Sequence, residues 1–329
     1  MADFHAFSLT GWTVMNKLNV YYHPSSLEHK GFPGFAERPA RLKKLTAIFN
    51  EMSLPVIQPN GATEAMLHRA HTPEYVAHVK SIGEKGLIRA TAANITSNHV
   101  QWYTRVSKGS YKAATDAAGA VCQAVEDTLS GKCNRAFCAV RPPGHHAGPE
   151  RGEGFCLFNN VAVGALHALE SGAQRVAIID FDRHHGNGTQ DIVEKGGGGK
   201  ILFVSSYQDG CKYNRNDTEG RISPEVLTVP LPENSGFTTV EALFRQQVIP
   251  ALYEFKPDII LISAGFDMHK SDPLTNLKLE SKDYETLTGM IVDAANNLCQ
   301  GRVVSALEGG YELKALESCV RHHLTALNR

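Results

Sequence analysis

The sequence predicts an open, mostly parallel α/β sheet with helices on both faces. Three observations carry this. Five short, uninterrupted apolar runs rich in Val, Ile or Leu read as strands buried on both faces. Segments with helical spacing of apolar residues lie between them, which are the long crossovers that parallel strands need. Each run stops abruptly at a glycine, a histidine or an acid.

The strands, in order, are Ala136–Val140 before RPPGHH, Val176–Ile179 before DFDRHHGNG, and Ile201–Val204 before SSYQDG. Ile259–Ile262 before SAGFD and Val303–Leu307 before EGGY complete the set. Ser110–Leu129 is an Ala-rich helix that Gly131 can terminate. Asn160–Glu170, Thr239–Tyr253 and Asp283–Leu298 repeat apolar residues at helical spacing. In such sheets ligands bind outside the carboxyl ends of the strands, where this chain concentrates its unusual polar residues.

No repeat, low-complexity linker or composition break divides the 329 residues, so 1–329 reads as one domain. Hydrophobic residues at 42% and charged residues at 20% suit a globular protein with a sizeable core. A net charge of -1 gives no global case for nucleic acid or an acidic membrane. The seven cysteines are odd in number and lack a CxxC pair, which argues for reduced thiols and against a cysteine zinc site. With neither a signal-like N-terminus nor an apolar run near the ~20 residues of a membrane span, the chain reads as cytoplasmic.

The chemistry centres on Asp180-Phe181-Asp182-Arg183-His184-His185-Gly186-Asn187-Gly188. In extended backbone, residues two apart share a face, so Asp180, Asp182 and His184 can project together. Two carboxylates and an imidazole aimed at one point stay unpaired unless a cation sits there. The alternative, an acid cluster capping the next helix with solvated histidines, suits one such residue better than three. Asp267, after the SAGF strand end, could complete the site. This oxygen-rich set leaves a position open for water and leaves the metal open among zinc, iron(II) and cobalt(II).

His145 and His146 follow the Pro-Pro-Gly turn, and the prolines would fix where the imidazoles point. Activating water needs a base and releasing an amine needs an acid; histidine serves as either. Asp180 and Asn187 are the available ring partners. The competing reading is a turn with two surface histidines. Tyr311 follows two glycines that let backbone approach a ligand, so its phenol can stabilise an oxyanion opposite a metal. A core tyrosine is the alternative.

Other features carry less. Gly196–Lys200 lacks the Ser/Thr and the helix of a phosphate loop, and reads as a turn. His68, His71 and His78 read as surface or capping residues, His322-His323 as solvated, and Cys156 as packing.

Together these motifs resemble the histone deacetylase superfamily, which includes acetoin-utilisation proteins and acetylpolyamine amidohydrolases. RPPGHHAG, GFCLFNN, DFDRHHGNGTQD, SAGFD with DPL, and EGGY stand in the family's order. The ERPARL segment, Glu37–Leu42, belongs to the same likeness, which runs from about Tyr21 to the C-terminus and leaves 1–20 as an N-terminal extension. HHGNGTQ is similar to the class II branch, with Asn187 where class I enzymes usually carry aspartate.

The resemblance implies an arginase-like fold of about eight mostly parallel strands. It implies zinc ligands Asp182, His184 and Asp267, with His146 as general base paired with Asn187. His145, paired with Asp180, would be an electrostatic partner, and Tyr311 would polarise the acetyl carbonyl. Gly154 and Phe155 would line a tunnel around the acyl-lysine stem, with Leu274 at its mouth. A structural potassium ion would use positions Asp180, Asp182, His184, Ser205 and Ser206.

Two departures stand out. Tyr103-Thr104 precedes VSKGS where the family often has an acid that grips the substrate backbone. Lys212–Gly220 replaces the usual aromatic-Pro-Gly-Thr-Gly loop, leaving Tyr213 as a candidate second tunnel aromatic. The implied activity is zinc-dependent, hydroxamate-sensitive hydrolysis of N6-acetyl-lysine in proteins, histones among them, with no direct nucleic-acid partner. Deacetylation of small amines is the alternative within enzymes, which an apolar Leu274 disfavours. A silent acetyl-lysine-binding module is the alternative outside them, which the retained ligand set and Tyr311 disfavour.

Overall fold

The computed structural model describes residues 18–31, 34–85, 100, 104–210 and 220–329. Among them, nine strands form one sheet. In chain order they are β1 (Leu18–Tyr21), β2 (Val56–Ile57), β3 (Arg135–Cys138), β4 (Val176–Asp180) and β5 (Ile201–Gln208). They continue with β6 (Gly220–Ser223), β7 (Val226–Leu231), β8 (Ile259–Ala264) and β9 (Val303–Leu307). The spatial order is β2-β1-β3-β9-β8-β4-β5-β7-β6. Eight strands run parallel; β6 alone is antiparallel, against β7 at the edge. The extra strand relative to about eight is this short edge element.

Four of the five expected strands fall within one or two residues of their observed limits; the fifth, expected over Ile201–Val204, continues four residues further to Gln208. Their unbroken apolarity follows from coverage on both faces. Val176 and Ile178 of β4 join one core cluster while Ala177 and Ile179 join the other. Ile259 and Leu261 of β8 likewise face opposite ways from Ile260 and Ile262.

On one face lie α4 (Ser110–Leu129) and α5 (Asn160–Glu170). Small residues at Ala117, Ala120 and Ala124 pack in the same cluster as Val161, Ala165 and Ala168. Gly131 ends α4 with φ 77°, the left-handed conformation a C-terminal cap uses. Asn159 caps α5, its side chain accepting from the Ala162 N–H at 3.0 Å.

On the other face lie α1 (Ala40–Glu51), α8 (Ile249–Phe255), α9 (Asp283–Leu298) and α10 (Leu313–Leu327). Burying each large aliphatic side chain in these layers contributes roughly 1.5–3 kcal/mol before entropy is counted. The helix expected over Thr239–Tyr253 is present within a helical run from Phe237 to Phe255, but it is not α-helical throughout. It divides into α7 (Phe237–Leu243), a π-helical turn at Phe244–Val248, and α8. Pro250 supplies the reason: its ring lacks an N–H and would clash with a carbonyl one turn back in regular helix. The short helices α2 (Glu64–Leu67) and α3 (Pro73–Lys85) lie before α4, and α6 (Asn187–Gly196) follows β4.

This topology decides where chemistry can occur. β3, β9, β8 and β4 are consecutive neighbours and parallel, so the segments after them emerge at one edge. Those segments are RPPGHH, EGGY, GFD and FDRHHGN.

Candidate active site

Asp180 ends β4, and the chain leaves extended geometry at once. The Asp182 N–H donates to Asp180 Oδ1 at 3.0 Å, and the His184 N–H to Asp182 Oδ1 at 2.9 Å. Because of these local turns the shared face expected for Asp180, Asp182 and His184 does not form. Asp180 Oδ2 turns to His145 Nδ1 at 2.9 Å. Asp182 and His184 instead converge with Asp267, three residues beyond β8.

Ligand atoms of Asp182, His184 and Asp267 lie within 4.8 Å of one another. His184 Nδ1 is 3.0 Å from Asp182 Oδ1 and 3.2 Å from Asp267 Oδ2. Backbone N–H groups aim the carboxylates: Gly309 donates to Asp182 Oδ2 at 2.8 Å and Arg183 to Asp267 Oδ1 at 2.9 Å. A side chain at position 309 would collide with both carboxylates, which requires glycine there.

Asp267 Oδ2 is buried and makes no well-aligned hydrogen bond; His184 Nδ1 is its near neighbour. Burial raises the Asp267 carboxyl, and Asp182 adds to the rise. Burial opposes ionisation of Asp182 too, but His145 and His184 hold it below the usual carboxylate range. Burial would lower His184, yet hydrogen bonds and charge from Asp182 and Asp267 raise it to about 9. Two buried carboxylates and an imidazole whose ligand atoms crowd one point, with an Asp267 oxygen short of a well-aligned hydrogen bond, fit a divalent cation.

His145 and His146 are both buried, which overturns the surface-turn reading. Their rings are 4.1 Å apart, and their environments drive them to opposite states. Burial would lower His145, but the Asp180 and Asp182 carboxylates outweigh it and raise the ring to about 10. His146 is held well below 6.5 by burial, then by the charges of His145 and His184. Its Nδ1 donates to Asn187 Oδ1 at 2.7 Å. An amide oxygen only accepts, so Nδ1 carries the hydrogen and Nε2 the lone pair.

Tyr311 is 7% exposed and lines a cleft with Arg38, Lys44, Ser271, Pro273 and Glu312. Among the described residues its hydroxyl has no hydrogen-bond partner. Its N–H donates to Asp272 Oδ2 at 2.7 Å, and Leu274 N–H to Asp272 Oδ1 at 3.0 Å, which ties the half-buried Leu274 to the tyrosine loop. Gly154 and Phe155 both adopt positive φ, 56° and 69°. A side chain at 154 would strike the His146 ring, and Phe155 meets Tyr311 edge-on at 5.8 Å. Strain at a non-glycine residue here marks a constrained wall.

Ser205 Oγ lies 3.0 Å from His185 Nδ1, and Ser206 Oγ donates to the Asp180 carbonyl at 3.1 Å. Tyr103 and Tyr213 lie outside the described residues.

Several residues escaped sequence reasoning. Glu308 Oε2 accepts the Gly144 and His145 N–H groups at 2.7 and 3.2 Å, holding the histidine loop from the end of β9. Burial pushes its carboxyl up to about 7. Glu153 accepts from Asn187 Nδ2 at 2.5 Å. The one available signal was an acid inside a glycine-rich or apolar segment.

Two histidine assignments are corrected. His71 is buried, donating from Nδ1 to the Gly148 carbonyl and accepting the Asn159 N–H on Nε2, both at 2.9 Å. His323 is fully buried between Thr288 and Ser305, because its face of α10 packs on the sheet; His322 is half-buried beside Glu285.

The histone deacetylase domain family matches residues 35–327. The chain is 35% identical to a type-2 histone deacetylase 2 of Dictyostelium discoideum over 95% of its own length, spanning 21% of that protein. It is 33% identical to a histone deacetylase-like amidohydrolase of Pseudomonas aeruginosa, covering 87% of this chain and 75% of that one. The crystal structure of the HDA15 HD domain superposes with a TM-score of 0.83 at 31% identity, covering 95% of this chain and 90% of that one. No described helix is long and apolar enough to cross a membrane. The fold is thus shared with these relatives over nearly the whole chain, which belongs to the histone deacetylase family and is a hydrolase acting on amides.

Proposed function

We propose that this chain removes the acetyl group from N6-acetyl-lysine in proteins, with zinc held by Asp182, His184 and Asp267. The observation that carries the reading is the buried histidine pair beside that cluster, His145 Nδ1 held on Asp180 and His146 Nδ1 on the Asn187 amide oxygen, with the carboxylates raising His145 and burial lowering His146. Two neighbouring titratable groups driven apart by their environments take different roles, here one as fixed charge and one as proton acceptor. Zinc bound there would polarise the amide carbonyl and make water more acidic.

His146 Nε2 takes a proton from the attacking water. The same nitrogen returns a proton to the lysine amine as the amide C–N bond breaks, releasing acetate. His145, already protonated and paired with Asp180, supplies positive charge without exchanging a proton. The Tyr311 hydroxyl donates to the carbonyl oxygen as it gains charge. Gly154 and Phe155 wall the acyl-lysine stem, and apolar Leu274 sits at the mouth, a poor neighbour for a polycation. Tyr213 is proposed as a second tunnel aromatic and Tyr103 as a substrate-binding residue. Asp180, Asp182, His184, Ser205 and Ser206 are the positions proposed to hold a structural potassium ion. The six described cysteines are buried and unbridged, which supports a reducing compartment such as the cytoplasm.

The test compares zinc-loaded enzyme on acetylated histone peptides, other acyl peptides and acetylspermidine, with and without a hydroxamate. Turnover on acetyl-lysine peptides that a hydroxamate abolishes is expected. Turnover on acetylspermidine alone would replace protein acetyl-lysine with small amines as substrate, and hydroxamate-resistant turnover would overturn the metal assignment.

A further inference from the structure

We propose that Glu153 is a positioning residue: it fixes the amide of Asn187 and thereby holds His146 in the tautomer whose Nε2 carries the lone pair. This rests on His146 acting as the base.

An aspartate beside Nδ1 would need no orienting, since both its oxygens accept. An asparagine does, because its two ends differ only in hydrogen-bonding sense. Rotated by a half turn, Asn187 would present N–H to His146 Nδ1. The proton would then move to Nε2, and the base would have no lone pair to offer. Nothing within the asparagine decides between these states.

Glu153 decides. Its Oε1 lies 2.5 Å from Asn187 Nδ2, and a carboxylate accepts only, so the amide nitrogen must face it and the amide oxygen must face His146. The carboxylate is buried, 3% exposed, where a misplaced dipole is costly. It is itself anchored: Arg151 Nε donates to Glu153 Oε1 at 3.1 Å. Arg151 also donates to Asp191 Oδ2 at 2.5 Å, and Asp191 stands one turn along α6 from Asn187. The bonds therefore close a ring from α6 through Asn187, Glu153, Arg151 and Asp191 back to α6. The arrangement also places a negative charge one residue beyond the ring, where it favours the imidazolium that forms as His146 takes a proton. A carboxylate that merely staples the loop to α6 through Arg151 would not depend on what stands at position 187, and that difference is measurable.

The experiment is a cycle of Glu153→Ala, Glu153→Gln and Asn187→Asp on zinc-loaded enzyme with an acetyl-lysine peptide. It is paired with ¹⁵N-histidine NMR of the metal-free protein and thermal unfolding of each variant. Glu153→Ala is expected to lower kcat roughly tenfold with KM and zinc content unchanged, as loss of an outer partner does. Glu153→Gln keeps an acceptor toward Nδ2 and should restore most of that loss. In the Asn187→Asp background the sign reverses: removing Glu153 relieves two facing carboxylates and raises kcat. NMR should show the Nδ1–H tautomer of His146 in the native protein and a mixture in Glu153→Ala.

An equal loss in both backgrounds, or an unchanged tautomer in Glu153→Ala, overturns the proposal. Should Glu153→Ala fail to fold, Glu153→Gln in the Asn187→Asp background still decides, since it must exceed Asn187→Asp alone. His146→Ala separates the two levels. Turnover retained there removes the base assignment, whereas an inactive His146→Ala with a failed cycle removes only the role of Glu153.

Discussion

The guanidinium of Arg41 lies 5.0 Å from the centre of the Tyr311 ring. Its Nε donates to the Gly310 carbonyl at 2.7 Å and its Nη2 to the Glu308 carbonyl at 2.5 Å. One arginine of α1 thus holds the whole loop that follows β9, and with it the edge-on packing of Tyr311 against Phe155. The tyrosine is aimed by its neighbours while its hydroxyl stays uncommitted. Such preorganisation is what a transition-state donor requires.

Tyr311→Phe should therefore lower kcat roughly a hundredfold to a thousandfold, about 3–4 kcal/mol, with little change in KM. The ring contacts with Arg41 and Phe155 persist in phenylalanine, so stability and zinc content should hold. A packing tyrosine predicts near-normal turnover, and steady-state kinetics on an acetyl-lysine peptide separates the two.

Asp182→Ala and Asp267→Ala should each abolish tight zinc binding and turnover together, because three protein ligands leave no redundancy. Metal analysis of purified variants is the check. A full complement of zinc in either would remove that residue from the ligand set.

Glu37 and Arg141 form a fully buried ion pair across 104 residues of chain, with Arg141 Nη2 donating to Glu37 Oε2 at 2.7 Å. Burial pushes the Glu37 carboxyl up, but Arg141 and His29 outweigh it and hold the group below its ordinary range. The pair's contribution is therefore present above the ordinary carboxylate pKa and lost as acid protonates it. Glu37→Gln should cost about 3–5 kcal/mol at neutral pH by leaving a buried guanidinium uncompensated. Denaturant unfolding within 1 kcal/mol or so of the native protein would contradict this.

His323 is pushed by burial down to about 3 from an ordinary 6.5. Below 6.5 the unfolded chain binds a proton there that the folded chain refuses, so stability declines as pH falls toward 3. The slope from this one group is about 1.4 kcal/mol per pH unit. His323→Gln should be flatter by that amount between about pH 6 and pH 4, measured by urea unfolding. An unchanged slope would mean that His323 protonates without opening the structure.

Much of this protein is legible along the chain because the responsible forces are local in sequence. A strand covered on both faces must be apolar along its buried run, and Val176–Ile179 of β4 and Ile259–Ile262 of β8 are. A helix that packs on one side must repeat every three to four residues, and α5 and α9 begin and end where that pattern does. Acids and histidines placed immediately after such strands announce a site at the carboxyl edge. Partner choice is different, since it is set by tertiary contact. Extended spacing put Asp180 beside Asp182 and His184, yet turns after β4 sent Asp180 to His145 instead. His71 and His323 carry no local mark of burial; only the docking of the neighbouring elements removes them from water. Glu153 and Asn187 stand 34 residues apart, on a loop and a helix that meet only once the sheet brings β3 and β4 to the same edge. Their contact, and with it the direction in which one amide points, belongs to the folded chain alone.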